Sequence, residues 1–283
     1  MTPADADLLV CPSCNGSLVY RGRTASGRIT DGVMQCHGCG TAWPVSDGVP
    51  HLYEPSQVRG SDYFLRFVYD WIAPWHDLSV KLVLPILQTQ SADATRNAYM
   101  ERIALTRLVP RNGTPVRILE VGIGGGANLP LVERDVPSDI GNLEMWGVDL
   151  SPGMLAQCRL RVRWSGFGRR VRLMLADAHA LPFPDASFDR VFHVGGIAGY
   201  RDAKLALAEM ARVARPGTPI VVVDEQLDPH RRHGLYHRLM FRAITFYTPD
   251  AVCPRRQLPR AATDVLEEQL SRFYYCLRFR MPR

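Results

Sequence analysis

Residues 117–129 run Arg-Ile-Leu-Glu-Val-Gly-Ile-Gly-Gly-Gly-Ala-Asn-Leu. Ile118, Leu119 and Val121 predict a short buried strand. Gly122, Gly124, Gly125 and Gly126 predict a tight turn, and Asn128 and Leu129 open a helix. A glycine turn between strand and helix lets backbone N–H groups approach a nucleotide, because glycine tolerates positive φ and carries no Cβ. The chain is thereby committed to an α/β fold with a ligand at its strand ends. Gly122, Gly124 and Ala127 fit the G-x-G-x-x-A frame of a dinucleotide turn, which alone is a weak signal. A second frame fits equally, with Glu120 followed by Gly122, Gly124 and Gly126 at alternate positions. A carboxylate at that strand end suits a ligand bearing an ammonium and repels a pyrophosphate.

The 283 residues suit one large α/β domain plus something small. The acidic start MTPADADLLV lacks the positive region of a secretory signal. The apolar run near residues 78–87 is too short to span a membrane and is broken by Lys81 and Pro85. A cytoplasmic location is therefore expected. Residues 226–283 carry 11 basic and 5 acidic groups, so the net charge of +6 is concentrated there. These arginines are spread rather than clustered; they suit either a solvated surface or contact with an anionic partner.

Residues 1–54 predict a small β module. Cys11, Cys14, Cys36 and Cys39 form two pairs, each with two residues between its cysteines, the spacing of a four-thiolate zinc site. Two disulfides are the alternative, disfavoured where thiols stay reduced. Four thiolates fill the shell, so Zn2+ here is expected to be structural and His37 is not a ligand. Leu18–Tyr20 and Ile29–Met34 predict a hairpin with Gly22 and Gly27 in its connection, and Asp47-Gly48 predicts a second turn. With Trp43-Pro44-Val45 and Val49-Pro50, this stretch resembles the zinc-ribbon module found beside, or fused to, many methyltransferases.

Residues 55–115 form an aromatic helical segment. Phe64, Phe67, Val68, Trp71 and Ile72 follow helical spacing. A buried helix face explains such a stripe, and so does a lid over an apolar substrate. A further helix is expected over residues 96–108.

Residues 116–283 complete the core. A second strand ends in Asp149, placed to accept ribose hydroxyls, and Ser151-Pro152 caps a following helix. Arg190–Val194 and Ile220–Val223 predict two further strands, separated by a helix over residues 203–214 that stops at Arg215-Pro216-Gly217. Residues 273–282 alternate like a last strand, and Thr248-Pro249-Asp250 looks like another helix start.

The stretch from Leu173 to Asp189, centred on Asp177-Ala178, resembles the third motif of class I S-adenosylmethionine-dependent methyltransferases. Glu120 with its glycines, Asp149 and Glu209–Gly217 match the same family in order and spacing. The resemblance implies a Rossmann-like seven-stranded sheet whose last strand is antiparallel. It implies S-adenosylmethionine as cofactor. Glu120, Gly122, Gly124 and Gly126 would hold its methionine end, Asp149 the ribose, and Asp177 and Ala178 the adenine; Leu150, Met154 and His193 would also contact it. Residues 67–77 resemble the corresponding helix of quinone-biosynthesis methyltransferases, which implies a small lipophilic or aromatic acceptor. If the acceptor must lose a proton, His193, His76 and Tyr69 are the candidate bases. The alternative is an rRNA or tRNA base methyltransferase that touches RNA through the ribbon and the basic C-terminal segment, although His193-Val194-Gly195-Gly196 stands where an Asn-Pro-Pro-Tyr motif would be expected. Oligomeric state is not legible.

Overall fold

The computed structural model describes residues 1–88, 92–111, 113–248 and 251–283, and the side chains of residues 76–93 lie outside that description. The expected helix start at Thr248-Pro249-Asp250 falls largely on residues outside it.

Four short strands open the chain: β1 (Leu18–Ala25), β2 (Arg28–Cys36), β3 (Ala42–Ser46) and β4 (Val49–Leu52). They form an antiparallel meander. Asp47 and Gly48 both take positive φ, the geometry that lets a two-residue turn follow the twist of β3 and β4. The first hairpin turns at Ser26-Gly27. Gly22 lies within β1 instead, opposite Gly32, where a Cβ would come within 2.4 Å of the Asp31 carbonyl oxygen.

Two helices follow, α1 (Ser61–Gln88) and α2 (Ala92–Ile103). The remainder alternates: β5 (Val116–Val121), α3 (Leu129–Asp135), β6 (Leu143–Asp149), α4 (Pro152–Trp164), β7 (Val171–Ala176), β8 (Arg190–Val194), α5 (Ala203–Val213), β9 (Ile220–Glu225), α6 (Leu235–Ile244), β10 (Thr263–Gln269) and β11 (Tyr274–Arg280). β5 and β9 are buried along almost their whole length because helices cover both faces of a parallel sheet. Ser151 caps α4, its Oγ accepting from the Met154 N–H at 3.0 Å.

The expectation of seven strands is corrected: the sheet has 11, in the order β1-β2-β3-β4-β7-β6-β5-β8-β9-β11-β10. β5 to β11 supply seven of these, and the ribbon extends them because β4 pairs in parallel with β7 through His51 with Leu175 and Leu52 with Ala176. β11 runs antiparallel to both β9 and β10. The core continues through this junction. Met34, Trp43 and Leu52 of the ribbon share one buried cluster with Trp146, Phe183 and Phe188. Phe183 meets Trp146 and Phe188 edge to face, with ring centroids 5.5 and 4.8 Å away.

The chain leaves β5 toward β6 and β7 on one side, then returns to β8 and β9 on the other. Such a reversal opens a crevice beyond the carboxyl ends of β5 and β8.

Candidate active site

A cavity of about 530 Å³ fills that crevice. Its two halves differ in chemistry. Glu120, Asp149 and Asp177 stand at the ends of β5, β6 and just beyond β7 on one side. On the other, Val194, Gly195, Val223 and Glu225 from β8 and β9 meet α1, α6 and Tyr274.

Glu120 is buried. Its Oε1 accepts from Asn128 Nδ2 at 2.6 Å, and Asn128 Oδ1 in turn accepts from the Tyr99 hydroxyl at 2.6 Å. Its Oε2 is buried and has no hydrogen-bond partner. Desolvation, opposed by the Asn128 bond and reinforced by Asp149, pushes the carboxyl up to about 8. An unsatisfied carboxylate oxygen beside a cavity is the group that a cationic ligand would satisfy.

Asp149 Oδ2 accepts from the Gly124 N–H and its Oδ1 from the Ser151 N–H, both at 2.8 Å. Burial pushes it up to about 6 against those two donors. Gly122 and Gly124 line the cavity at positive φ, whereas Gly126 does not border it. A Cβ on Gly126 would approach Cys158 Sγ to 2.7 Å and Leu129 Cδ1 to 2.9 Å, so that glycine serves helix packing. Leu150, Met154 and Ala178 also border the cavity.

Asp177 is held by a network that the sequence does not announce. Its Oδ1 pairs with His179 Nδ1 at 2.6 Å and its Oδ2 accepts from Arg201 Nη2 at 2.7 Å. The Asp202 N–H donates to His179 Nε2, so the ring presents its Nδ1–H to Asp177. Arg201 also binds buried Asp62, from the first turn of α1, through its Nη1 and its backbone N–H. Desolvation acts to raise Asp177, yet the His179 and Arg201 hydrogen bonds prevail and hold it at about 2. Each bonded oxygen keeps further acceptor capacity toward the cavity.

A second carboxylate of α1 reaches the same region. Asp70 Oδ1 accepts from Ser151 Oγ at 2.5 Å and from the Gly153 N–H at 2.9 Å, at the start of α4. Gly153 permits this approach, since a Cβ there would stand 3.1 Å from the Asp70 backbone. Helix α1 is therefore fastened over the cavity at two points eight residues apart. Its stripe is not a buried core face. Leu65, Val68, Tyr69 and Ile72 border the cavity, while Phe64, Phe67 and Trp71 face outward.

The candidate bases separate. Tyr69 borders the cavity, and burial followed by the fields of Glu225 and Asp224 drives its phenol well above the ordinary range. It is an O–H donor there. His193 is 1% exposed and lies beneath Gly122, where a Cβ would touch its ring at 3.1 Å; it is not among the residues bordering the cavity. Its Nδ1 donates to the Val121 carbonyl at 2.7 Å, its Nε2 is buried without a partner, and desolvation lowers its pKa. The side chain of His76 lies outside the described residues.

Glu225 was not anticipated. It ends β9, borders the cavity, and accepts from the Tyr247 hydroxyl at 2.9 Å and from Tyr274 at 3.4 Å. Burial, with Asp224 alongside, raises it well above the ordinary carboxyl range. Asp224 is committed elsewhere, accepting from the Gly196 and Ala198 N–H groups at 2.8 Å each.

At the far edge of the sheet, the Sγ atoms of Cys11, Cys14, Cys36 and Cys39 lie within 4.8 Å of one another. Cys11 and Cys39 are 3.7 Å apart and Cys14 and Cys36 are 3.5 Å apart. A disulfide needs about 2.0 Å, and tetrahedral Zn–S bonds of about 2.3 Å separate sulfurs by roughly 3.8 Å. A Cβ on Gly16 would sit 3.0 Å from Cys36 Sγ, so the knuckle requires glycine.

Comparison with known proteins gives two family matches: residues 118–217 match a methyltransferase domain, and residues 6–48 match a Trm112p-like protein. The chain is 35% identical over 177 residues to demethylmenaquinone methyltransferase of Thermus thermophilus, covering 62% of this chain and 73% of that protein. Other curated relatives are matched over 37 to 63% of their own length. The fold is shared with phosphoethanolamine N-methyltransferase 2 of Haemonchus contortus bound to S-adenosylmethionine, at a TM-score of 0.55 and 16% identity over 95% of this chain and 70% of that one. It is also shared with a Haloferax volcanii complex of a Trm112 methyltransferase activator and a methyltransferase, at a TM-score of 0.54 and 15% identity over 76% and 98% of the two chains.

Proposed function

Because this chain belongs to the S-adenosylmethionine-dependent methyltransferases, we propose that it methylates an O, N or C nucleophile of a small lipophilic or aromatic acceptor. The observation that carries this reading is the division of the cavity into a half lined by three strand-end carboxylates and a mainly apolar half in which Glu225 and the phenols of Tyr69, Tyr247 and Tyr274 are the polar groups. When bound, S-adenosylmethionine supplies an electrophilic methyl group on a sulfonium sulfur. The chain's residues fit it: Glu120 Oε2 would take the ammonium, Asp149 with Leu150 and Met154 the ribose, and Asp177 with Ala178 the adenine. Gly122 and Gly124 leave the backbone bare where the methionine end would lie.

The apolar half would take the acceptor. Leu65, Val68 and Ile72 of α1 face Ile244 and Phe246 across it. These residues exclude water and align the acceptor, and alignment alone can lower a barrier by several kcal/mol. Tyr69 donates a hydrogen bond to the acceptor's polar group. Glu225, held by Tyr247 and Tyr274, receives a proton at its carboxylate if the nucleophile must lose one. His193 fixes the β5–β8 junction under the glycine turn. The similarity to a demethylmenaquinone methyltransferase supports a ring acceptor with an apolar tail.

The four cysteines are read as ligands of one structural Zn2+. The ribbon acts in cis as the Trm112-like partner of the catalytic domain, joined to it through β4 and β7. Elemental analysis should find about one zinc per chain, and a folded, metal-free protein would overturn the site.

An RNA base as acceptor is the second reading, favoured by the Trm112p-like match. The deciding experiment compares methylated metabolites and methylated RNA bases between wild-type and deletion strains. A lost methylated small molecule supports the first reading; a lost RNA modification overturns it.

A further inference from the structure

The outer faces of α1 and α6 carry apolar side chains that cover nothing. Along α1, Tyr63, Phe67 and Trp71 recur every fourth residue, which places them on one side of the helix. They are 64, 65 and 77% exposed. Along α6, Leu235 and Leu239 are 74 and 54% exposed. Phe64 of α1 packs edge to face on exposed Phe246, two residues past the end of α6, with ring centroids 6.5 Å apart. Exposed apolar side chains thus run along both helices and at the Phe64–Phe246 contact between their segments, and soluble proteins rarely leave so many without a partner.

Its surroundings are cationic. Arg231, Arg232, Arg238 and Arg242 are all exposed; Arg231 pairs with Asp228 at 2.9 Å, and residues 229–248 contain no Asp or Glu. Arg238 and Arg242 lie on the same side of α6 as Leu235 and Leu239, at helical spacings of three and four. A ridge of Leu, Phe and Trp flanked by arginine is the composition of a helix that lies in a bilayer interface. Among the described residues no helix is long and apolar enough to cross a membrane.

The inner faces of these helices wall the apolar half of the cavity, through Leu65, Val68 and Ile72 of α1 and Ile244 of α6. We propose that the α1–α6 face is a docking surface for an anionic lipid bilayer, which places the mouth of the acceptor pocket at the membrane. RNA fits this surface less well. The rings of Phe67 and Trp71 could stack a base, but Leu235 and Leu239, which stand among the arginines of α6, offer neither a ring nor a hydrogen bond with which to read one. The surface rests on exposure and charge, so it stands whichever acceptor is methylated.

The test is co-flotation of the full chain with vesicles of phosphatidylcholine, alone or mixed with phosphatidylglycerol. The chain should float with the mixed vesicles, more weakly with the neutral ones, and less as salt is added. The tryptophan emission should shift to the blue on binding. Phe67→Ser with Trp71→Ser, or Leu235→Ser with Leu239→Ser, should weaken partitioning by about tenfold or more, and Arg238→Gln with Arg242→Gln by about thirtyfold. None of these side chains borders the cavity, so S-adenosylmethionine affinity should be unchanged, which also reports that the variants are folded. Absence of binding to mixed vesicles overturns the proposal, as does equal binding by folded variants. Light scattering and titration with single-stranded RNA complete the test: a dimer dissolved by the same substitutions, or RNA affinity lost with them while vesicles are ignored, overturns it in favour of that partner. Failure of the small-molecule reading would appear instead in the methylated products, with flotation intact.

Discussion

The two halves of the cavity are built in opposite ways. In the carboxylate half each polar group stands at or just past the end of a strand and is fixed by partners within about 25 residues: Glu120 by Asn128, Asp149 by Gly124 and Ser151, Asp177 by His179 and Arg201. The acceptor half is assembled from α1, β8, β9, α6 and Tyr274, segments separated by up to two hundred residues. A ligand common to a whole family can be held by local motifs. A ligand peculiar to one enzyme is enclosed by elements that meet only once the sheet has formed.

If this contrast is sound, damage to the first half should remove cofactor binding, and damage to the second should spare it. The largest effect is expected from Gly124→Val. It forces a branched side chain into a backbone at φ +53°, with Met154 already 3.1 Å from any Cβ. Calorimetric titration should show at least about a hundredfold loss of S-adenosylmethionine affinity, because strain and steric exclusion add. Retained affinity would break the comparison at its root.

Glu120→Gln should weaken binding by about ten- to a hundredfold, the worth of a hydrogen bond to a charged group. It should also change the pH profile. Burial holds the free carboxyl at about 8, and a nearby ammonium favours its ionised form. Binding therefore expels a proton below that pH, so wild-type affinity should rise with pH and level off above about 8. The glutamine variant should lose this part of the slope. Titrations in buffers of differing ionisation enthalpy measure the released proton directly.

Glu225→Gln should lower kcat by about tenfold or more if the carboxylate receives the acceptor's proton, with S-adenosylmethionine affinity unchanged. An equal loss of cofactor binding would merge the two halves into one. The smallest effect is expected at their seam. Asp70→Ala removes the acceptor for Ser151 Oγ and Gly153 N–H and should cost about 1 kcal/mol of stability, read as a fall of a few degrees in melting temperature.

The same contrast sets what could be read from the chain before folding. The glycine turn, Asp149 and Ser151-Pro152 carry their own geometry, so strand, turn and cap could be placed from neighbours alone. β8 was placed residue for residue because Arg190–Val194 is a short apolar run preceded by a turn. The latch through Asp62 and Arg201 could not be seen, since 139 residues separate the partners. The period of the α1 stripe revealed that a face exists but not what covers it; the cavity took Val68 and Ile72, and Phe67 and Trp71 stayed outside. β10 carries no apolar alternation to mark it, because an edge strand needs only one neighbour and Thr263–Gln269 buries none of its residues. Nor could four residues, Val49–Leu52, announce that they would join the sheets.

That junction pairs two residues of each strand and buries Met34, Trp43 and Leu52 of the ribbon in one core with Trp146, Phe183 and Phe188. Here the partner is tethered a few residues from α1, so its local concentration is high and independent of how much protein the cell makes. Dilution cannot separate the ribbon from the catalytic domain, and no third protein can compete it away. If the ribbon serves as the Trm112-like partner proposed above, the fused chain holds it at a fixed one-to-one ratio to the catalytic domain.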